Sequence, residues 1–270
     1  MLDSFNREIS YLRISVTDRC NLRCIYCMPA EGVEKKRHED CLSFEQITAI
    51  AREAAALGIN KIRLTGGEPL VRKGICTLVK QLKGIEGLKT LGMTTNGHFL
   101  EQYAPDLKKA GLDSLNISLD TLNPERYSHL TRGGDIREVF KGIEAALTSG
   151  FPLKINMVVS DDTTVSEMNE MKDFCEKKGI RLQRIREYDL KEDKFKDEEI
   201  IYHRPPPCAT CNRIRLLSRG SLKPCLHSDN EIRIDPDNPD HIKEALRKAI
   251  TEKPRCGSSC STRNMVEIGG

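Results

Sequence analysis

Six cysteines in two sets of three are the residues of this chain best suited to chemistry. Cys20-x3-Cys24-x2-Cys27 lies near the N-terminus, and Cys208-x2-Cys211-x13-Cys225 lies near the C-terminus. A closed structural metal site usually takes four protein ligands. Three thiolates on a four-iron cluster leave one iron able to bind something else, and the short spacing of the first set lets all three converge. Two such cages in one chain point to one cluster that holds a cofactor and another that holds a substrate. A zinc knuckle at the first set would want a fourth Cys or His close by. The next ones, His38 and Cys41, lie beyond an unpatterned loop. Cys256 and Cys260 add a Cys-x3-Cys shortly before the C-terminus. They are idle or structural thiols, or one of them is a fourth ligand that closes the second set and turns it into an electron relay. The sequence leaves both readings open.

A second group of residues could hold an anion. Arg213 and Arg215 are two apart on a predicted strand, so they point to one side, directly after Cys211. Planar guanidiniums there can hold phosphate oxygens two at a time. Arg13 lies in the first predicted strand, Arg63 in the second and Lys154 in the fifth. Singly, each reads as a surface charge. Together, on elements that converge on one mouth, they read as a site for a nucleoside triphosphate.

These residues need a scaffold, and the patterning supplies one. Strands are predicted at Leu12–Val16, Lys61–Thr65, Thr90–Thr95, Ser114–Leu119, Leu153–Val159 and Arg181–Tyr188. Helices are predicted near 44–57, 74–83, 100–110, 135–149 and 165–178. Ser43 with Gln46 and Thr164 with Glu167 have capping-box spacing, and Gly58, Gly111, Gly150 and Gly179 follow helical runs as C-caps do. The alternation implies an α/β fold with a mostly parallel sheet and right-handed crossovers. Functional residues then gather at the C-terminal ends of the strands. After Tyr188 the alternation stops. The charged run LKEDKFKDEE and Pro205-Pro206-Pro207 read as a linker over 191–207. Residues 208–270 read as a small segment with a strand at Arg213–Leu217 and a helix near 240–251.

Composition excludes some classes. Lys+Arg 43 against Asp+Glu 40 leaves a formal charge of +3, without the basic excess of a nucleic-acid binder. The absence of Trp and 5% aromatic residues give little sign of base-stacking platforms. The opening residues carry no apolar signal core and no run is long enough to span a bilayer, so a cytoplasmic protein without membrane partners is expected. Eleven cysteines in such a chain read as metal ligands before disulfides. Cys41, Cys76 and Cys175, which stand alone, read as small buried hydrophobes.

The first cysteine loop, with Tyr26 ahead of its third cysteine and Gly66-Gly67-Glu68-Pro69 after the second strand, resembles the radical S-adenosylmethionine (SAM) superfamily. The resemblance implies a partial (β/α)6 TIM-like barrel with a small C-terminal iron–sulfur domain. It also implies a first [4Fe-4S] cluster on Cys20, Cys24 and Cys27 whose open iron chelates the amino and carboxylate groups of SAM. Reduction of that cluster then releases a 5′-deoxyadenosyl radical. Within the superfamily, 1–190 and 204–270 resemble the GTP 3′,8-cyclases of molybdenum-cofactor biosynthesis. The likeness lies in LRISVTDRCNLRCIYCMP, KIRLTGGEPLVR, TTNG, LNISLD, KINMVV, CATCNRIRL, LKPCL and the closing EIGG.

That resemblance implies SAM contacts from Tyr26, Gly67 and Ser118, with Glu68 and Asn156 as neighbours. It implies GTP contacts from Arg13, Arg63, Thr94, Lys154, Arg213, Ile214 and Arg215, with Arg184 in the place of a further substrate arginine. A second [4Fe-4S] cluster would sit on Cys208, Cys211 and Cys225 with its open iron on the guanine, and Gly269-Gly270 would reach into the site and serve the catalytic step. An electron donor is implied for cluster reduction, and a homodimer stays open. The chain departs from the family in three places. The bridge between the last barrel strand and the second set is some tens of residues short, so strands and one wall of the pocket are expected to be lost. Asp189 stands where a methionine is expected. Cys256 and Cys260 are additional. A related radical enzyme acting on another nucleotide or a peptide, with its second cluster fully ligated, is the alternative.

Overall fold

The computed structural model describes residues 1–32, 40–187, 190, 208–260 and 262–269. The predicted linker, His38, Tyr188, Asp189 and Gly270 lie outside them.

Seven strands run in one direction: β1 (Tyr11–Ser15), β2 (Lys61–Thr65), β3 (Thr90–Thr95), β4 (Ser114–Ser118), β5 (Leu153–Val159), β6 (Arg181–Arg186) and β7 (Arg213–Leu216). The two short strands β8 (Ser221–Lys223) and β9 (Ile232–Arg233) return antiparallel. They form one open sheet in the order β6-β5-β4-β3-β2-β1-β7-β8-β9. Helices α1 (Phe44–Ala56), α2 (Ile75–Lys83), α3 (Leu100–Lys109), α4 (Pro124–Thr131), α5 (Ile136–Thr148) and α6 (Val165–Lys177) fill the crossovers. Helices α7 (Pro239–Thr251) and α8 (Met265–Ile268) follow β9. This is a partial (β/α)6 barrel, and the segment after the linker adds its strands to the same sheet through β7 on β1.

Both predicted capping boxes form, at Ser43/Gln46 on α1 and Thr164/Glu167 on α6. Helix α4 was not anticipated. Asn123 caps it and Pro124 opens it, but PERYSHLT is too polar and short to carry an apolar stripe.

The sheet has two different faces. Leu12, Ile14, Ile62, Leu64, Leu91, Met93, Leu115, Ile117, Ile155 and Met157 are buried in one core cluster with the helices. The alternate positions are Tyr11, Arg13, Arg63, Thr94, Asn116, Ser118, Lys154 and Asn156, which line a cavity on the other face. A parallel sheet usually reads as near-continuous apolar runs. Strict apolar–polar alternation here means that the inner face is built for a polar guest.

Candidate active site

The cysteine loop leaves β1 at the C-terminal edge of the sheet and is pinned there by the turn that follows β2. Gly67 N–H donates to the Thr17 carbonyl at 2.8 Å and Glu68 N–H to the Arg19 carbonyl at 2.8 Å. The approach is so close that a Cβ on Gly67 would stand 2.3 Å from the Arg19 oxygen, which requires glycine. The Glu68 carboxylate accepts from Leu70 N–H at 3.0 Å, Thr95 hydroxyl at 2.7 Å and Asn96 N–H at 2.7 Å. Burial pushes its carboxyl up to about 7 despite those three donors. Glu68 therefore ties the turn to the end of β3.

Tyr26, inside the cysteine loop, donates to Asp120 Oδ2 at 2.6 Å, and Asp120 Oδ1 accepts from Val158 N–H at 2.8 Å. Burial raises Asp120 to about 6, and burial together with that carboxylate pushes the Tyr26 phenol well above its ordinary value. The phenol thus stays a donor and anchors the loop to β4 and β5. Burial also pushes the Cys20 thiol up to about 12, so ligation there must displace a proton.

The cations form a row one turn deeper. Register places Arg63, Arg13 and Arg215 directly opposite one another across β2, β1 and β7. The row behind them is Lys61, Tyr11 and Arg213. Tyr11 organises both rows. Its hydroxyl accepts from Arg63 Nε at 3.0 Å, and its ring lies under Lys61 and Arg213, 4.9 and 5.6 Å from the centroid. Crowding has an electrostatic cost. Burial first, and then neighbouring arginines, lower Arg13 to about 9 and Lys154 to about 8. Burial raises the Tyr11 phenol, but Arg13, Arg63 and Arg213 outweigh it and leave it lowered.

Both groups line one cavity of about 380 Å³. Cys20, Cys24, Cys27, Tyr26, Gly67, Glu68, Ser118 and Asn156 stand at one end, and Arg13, Arg63, Thr94, Lys154, Arg213 and Arg215 at the other. Gly269 also lines it. Its carbonyl accepts from Arg13 Nη2 at 3.3 Å and Arg215 Nη1 at 3.4 Å, and with φ of 77° a Cβ there would meet Thr65 Oγ1 at 2.5 Å. Two predicted residues point elsewhere. Ile214 is fully buried in the apolar core between the two arginines. Arg184 faces Met157 across β6 and β5, while Gln183 and Ile185 take the positions that line the cavity. Cys208, Cys211 and Cys225 are absent from its described lining, although Arg213 and Leu226 beside them form part of it.

Three buried polar atoms facing this space, Thr94 Oγ1, Asn156 Oδ1 and Arg213 Nε, have no hydrogen-bond partner among the described residues. Such groups are costly unless a guest satisfies them. No three His, Cys, Asp or Glu side chains among the described residues close around a single metal ion. Three thiols at the cavity end instead suit a larger inorganic group with an exposed position toward the polar guest.

Residues 14–175 match the radical SAM superfamily, and residues 148–258 match Molybdenum Cofactor Synthesis C. A protein of Alkaliphilus metalliredigens named GTP 3′,8-cyclase is 39% identical over 320 aligned positions covering all of both chains. One of the same name from Peptoclostridium acidaminophilum is 41% identical, covering all of this chain and 98% of that one. The chain belongs to the GTP 3′,8-cyclase family of radical SAM proteins.

Membership in this family implies SAM and a [4Fe-4S] cluster as cofactors. The 320 aligned positions face only 270 residues here, so at least 50 find no counterpart in this member of the family. Solved structures of lower identity share the fold. Streptococcus suis SuiB bound to S-adenosylmethionine is 16% identical with a TM-score of 0.68, covering 92% of this chain and 65% of that one. Native anSMEcpe with bound AdoMet is 16% identical with a TM-score of 0.64, covering 91% and 81%.

Sequence reasoning passed over Tyr11, Lys61, Asn96, Asn116 and Asp120. Tyr11 was within reach, since it lies two residues before Arg13 on the same strand face. Asp120 lies two residues past the end of β4 and is recognisable only once Tyr26 is seen to reach it.

Proposed function

We propose that this chain is a GTP 3′,8-cyclase that converts GTP to 3′,8-cyclo-7,8-dihydro-GTP for molybdenum-cofactor biosynthesis. The observation that carries the reading is the row Arg63, Arg13 and Arg215 facing the same cavity as Cys20, Cys24 and Cys27. Cysteines able to hold a cluster and guanidiniums able to hold a triphosphate share one enclosure there.

Cys20, Cys24 and Cys27 hold the first cluster. SAM lies against Tyr26, Gly67, Glu68, Ser118 and Asn156. Bound there, these cofactors supply the 5′-deoxyadenosyl radical that takes hydrogen from the ribose C3′ before the base is attacked. The protein's own task is positioning. Arg13, Arg63, Arg213, Arg215 and Lys154 clamp the phosphates, with Thr94 Oγ1 and Arg213 Nε free to accept and donate to the nucleotide. The Gly269 carbonyl is a neutral stand-in for an anion between Arg13 and Arg215, and the tail that carries it continues to Gly270, which serves the same step. Arg184 acts from outside the cavity, and Ile214 through its backbone. The second set, Cys208, Cys211 and Cys225, holds a second [4Fe-4S] cluster. An electron donor reduces the clusters. A cytoplasmic setting accords with eleven cysteines and with the lack, among the described residues, of a helix long and apolar enough to cross a membrane.

Anaerobic turnover with SAM, a reductant and a panel of nucleotides tests this, with 5′-deoxyadenosine as the readout. GTP is expected to raise its formation above the substrate-free rate. If GTP does no better than ATP or buffer, the reading is wrong.

A further inference from the structure

Cys256 stands apart from the six cysteines assigned above, and its surroundings are not those of an idle thiol. Its Sγ lies 3.4 Å from Cys208 Sγ. That is far beyond the roughly 2.05 Å of a disulfide, so the two thiols touch without being bridged. The next residue reaches a different member of the set. A Cβ on Gly257 would stand 2.8 Å from Cys225 Sγ, so the chain can pass there only as glycine. Ser258 N–H then bonds the His227 carbonyl at 3.0 Å. The segment is wedged between Cys208 and Cys225.

The placement is enforced from far away in sequence. The Arg7 guanidinium, itself buried and paired with Asp3 at 2.6 Å, donates Nη1 to the carbonyls of Cys208 at 2.7 Å and Arg255 at 3.1 Å. Its Nη2 donates to the Pro254 carbonyl at 2.7 Å. Lys253 Nζ bonds the Arg213 carbonyl at 2.7 Å and the Pro224 carbonyl at 2.8 Å. One cation holds Cys208 to the residue before Cys256, and the other joins the chain beside Cys211 to the chain beside Cys225. Cys260 is treated differently. It is fully buried beside Leu190, Leu217 and Ile268, with its N–H on the Leu190 carbonyl. The Cys-x3-Cys is therefore not a unit.

We propose that Cys256 is the fourth thiolate of the second cysteine set, so that the cluster held there is ligated by protein at every iron. The proposal rests on the reading that this set holds a cluster at all. It accords with the cavity lining, which includes the first set's thiols but none of the second's among the described residues. A closed cluster behind Arg213 and Leu226 would pass electrons rather than grip the guanine. Binding of the nucleotide would then fall to the arginine row and the polar groups of the cavity.

The test uses the full chain with Cys20, Cys24 and Cys27 all changed to Ala, so that only the second set can hold iron. It is reconstituted anaerobically with and without Cys256→Ala, and Cys256→Ser serves as a second variant. Because Cys256 is exposed, neither change threatens the fold. Iron, sulfide and zinc are counted, and the protein is then treated with a mild oxidant and followed by electron paramagnetic resonance. About four irons per chain are expected before oxidation. The chain that keeps Cys256 should retain them, while both variants should lose one iron and give the paramagnetic three-iron species. Equal loss with and without Cys256 would overturn the fourth ligand and leave the cluster standing. Zinc in place of iron, or no metal, would overturn the cluster itself and the role of Cys256 with it.

Discussion

The two cysteine sets have the same count and opposite settings. The first lies on a short loop at the end of β1, its thiols face the cavity, and the nearby charges are the carboxylates of Glu68 and Asp120. Its shape comes from neighbours close to the loop: the Gly67 turn, the Tyr26–Asp120 bond and Asn96, whose Nδ2 reaches Asn21 at 2.8 Å. The second set flanks the β7–β8 hairpin, with Cys208 and Cys211 just before β7 and Cys225 just after β8, and it is bracketed by cations. Burial raises the Cys211 thiol, but Lys253 and Arg213 outweigh it and leave it lowered. Its shape depends on Arg7, about 200 residues away in sequence. Three cysteines in a row of text can thus build a site open to a guest or one sealed by its own chain. The neighbouring backbone, more than the count, decides which.

The largest effect expected from a single change strikes the first set alone. Gly67→Ala puts a methyl 2.3 Å from the Arg19 carbonyl and forces the turn away from the cysteine loop. SAM binding should be lost and the first cluster should assemble poorly, while iron at the second set persists. Calorimetric SAM titration together with iron counts checks this, and unimpaired SAM binding would show that the turn is not what shapes the loop.

Arg7→Ala is the complementary break. It leaves the Asp3 carboxylate buried without its partner, which costs about 3–5 kcal/mol, and frees the Cys208 and Arg255 carbonyls. Denaturant midpoints should fall, and iron at the second set should become labile to chelators before iron at the first. Loss from both sets at equal rates would show that the clamp supports the whole fold and not one site.

Arg215→Ala should spare both sets. It removes one guanidinium from the row facing the cavity, and a charged hydrogen bond is worth about 1.5–3 kcal/mol. GTP should bind about 10- to 100-fold more weakly by that figure, with SAM binding and total iron unchanged. A variant that also loses SAM would show that the arginine is structural.

How much of this was legible in the sequence follows the range of the interactions. The six barrel strands and five of their helices were readable because apolar alternation and capping boxes are local. The row Arg63, Arg13 and Arg215 was half readable. Each arginine could be placed on a strand, but only the pairing of β7 with β1 puts Arg215 opposite Arg13. Arg184 shows the limit in the other direction, because in Gln183-Arg184-Ile185-Arg186 a shift of one residue exchanges the two faces. Strands β8 and β9 are too short to show a period. The bonds of Arg7 to Cys208 and Arg255 join residues 201 and 248 apart, and Cys256 meets Cys208 across 48, so no local pattern announces them.

The smallest expected effect is a pH dependence that belongs to the nucleotide end of the cavity. Lys154 is lowered to about 8, first by burial and then by the charges of Arg63, Arg181, Arg13 and Arg213, while its ammonium bonds Gln183 Oε1. An anionic guest favours the charged form, so binding returns the lysine's pKa upward and takes up a proton in the range where the free site has lost it. Below pH 8 the free lysine is already charged and affinity should be flat. Above it affinity should fall by up to about tenfold per pH unit, the limit for a single proton. Equilibrium GTP binding without turnover, from pH 7 to 9.5 in wild type and in Lys154→Met, separates this proton from any carried by the nucleotide. SAM binding, at the other end of the cavity, should lack the component that Lys154→Met removes. If wild type and variant show parallel profiles for GTP, Lys154 does not face the phosphates and the row of cations ends at Arg63.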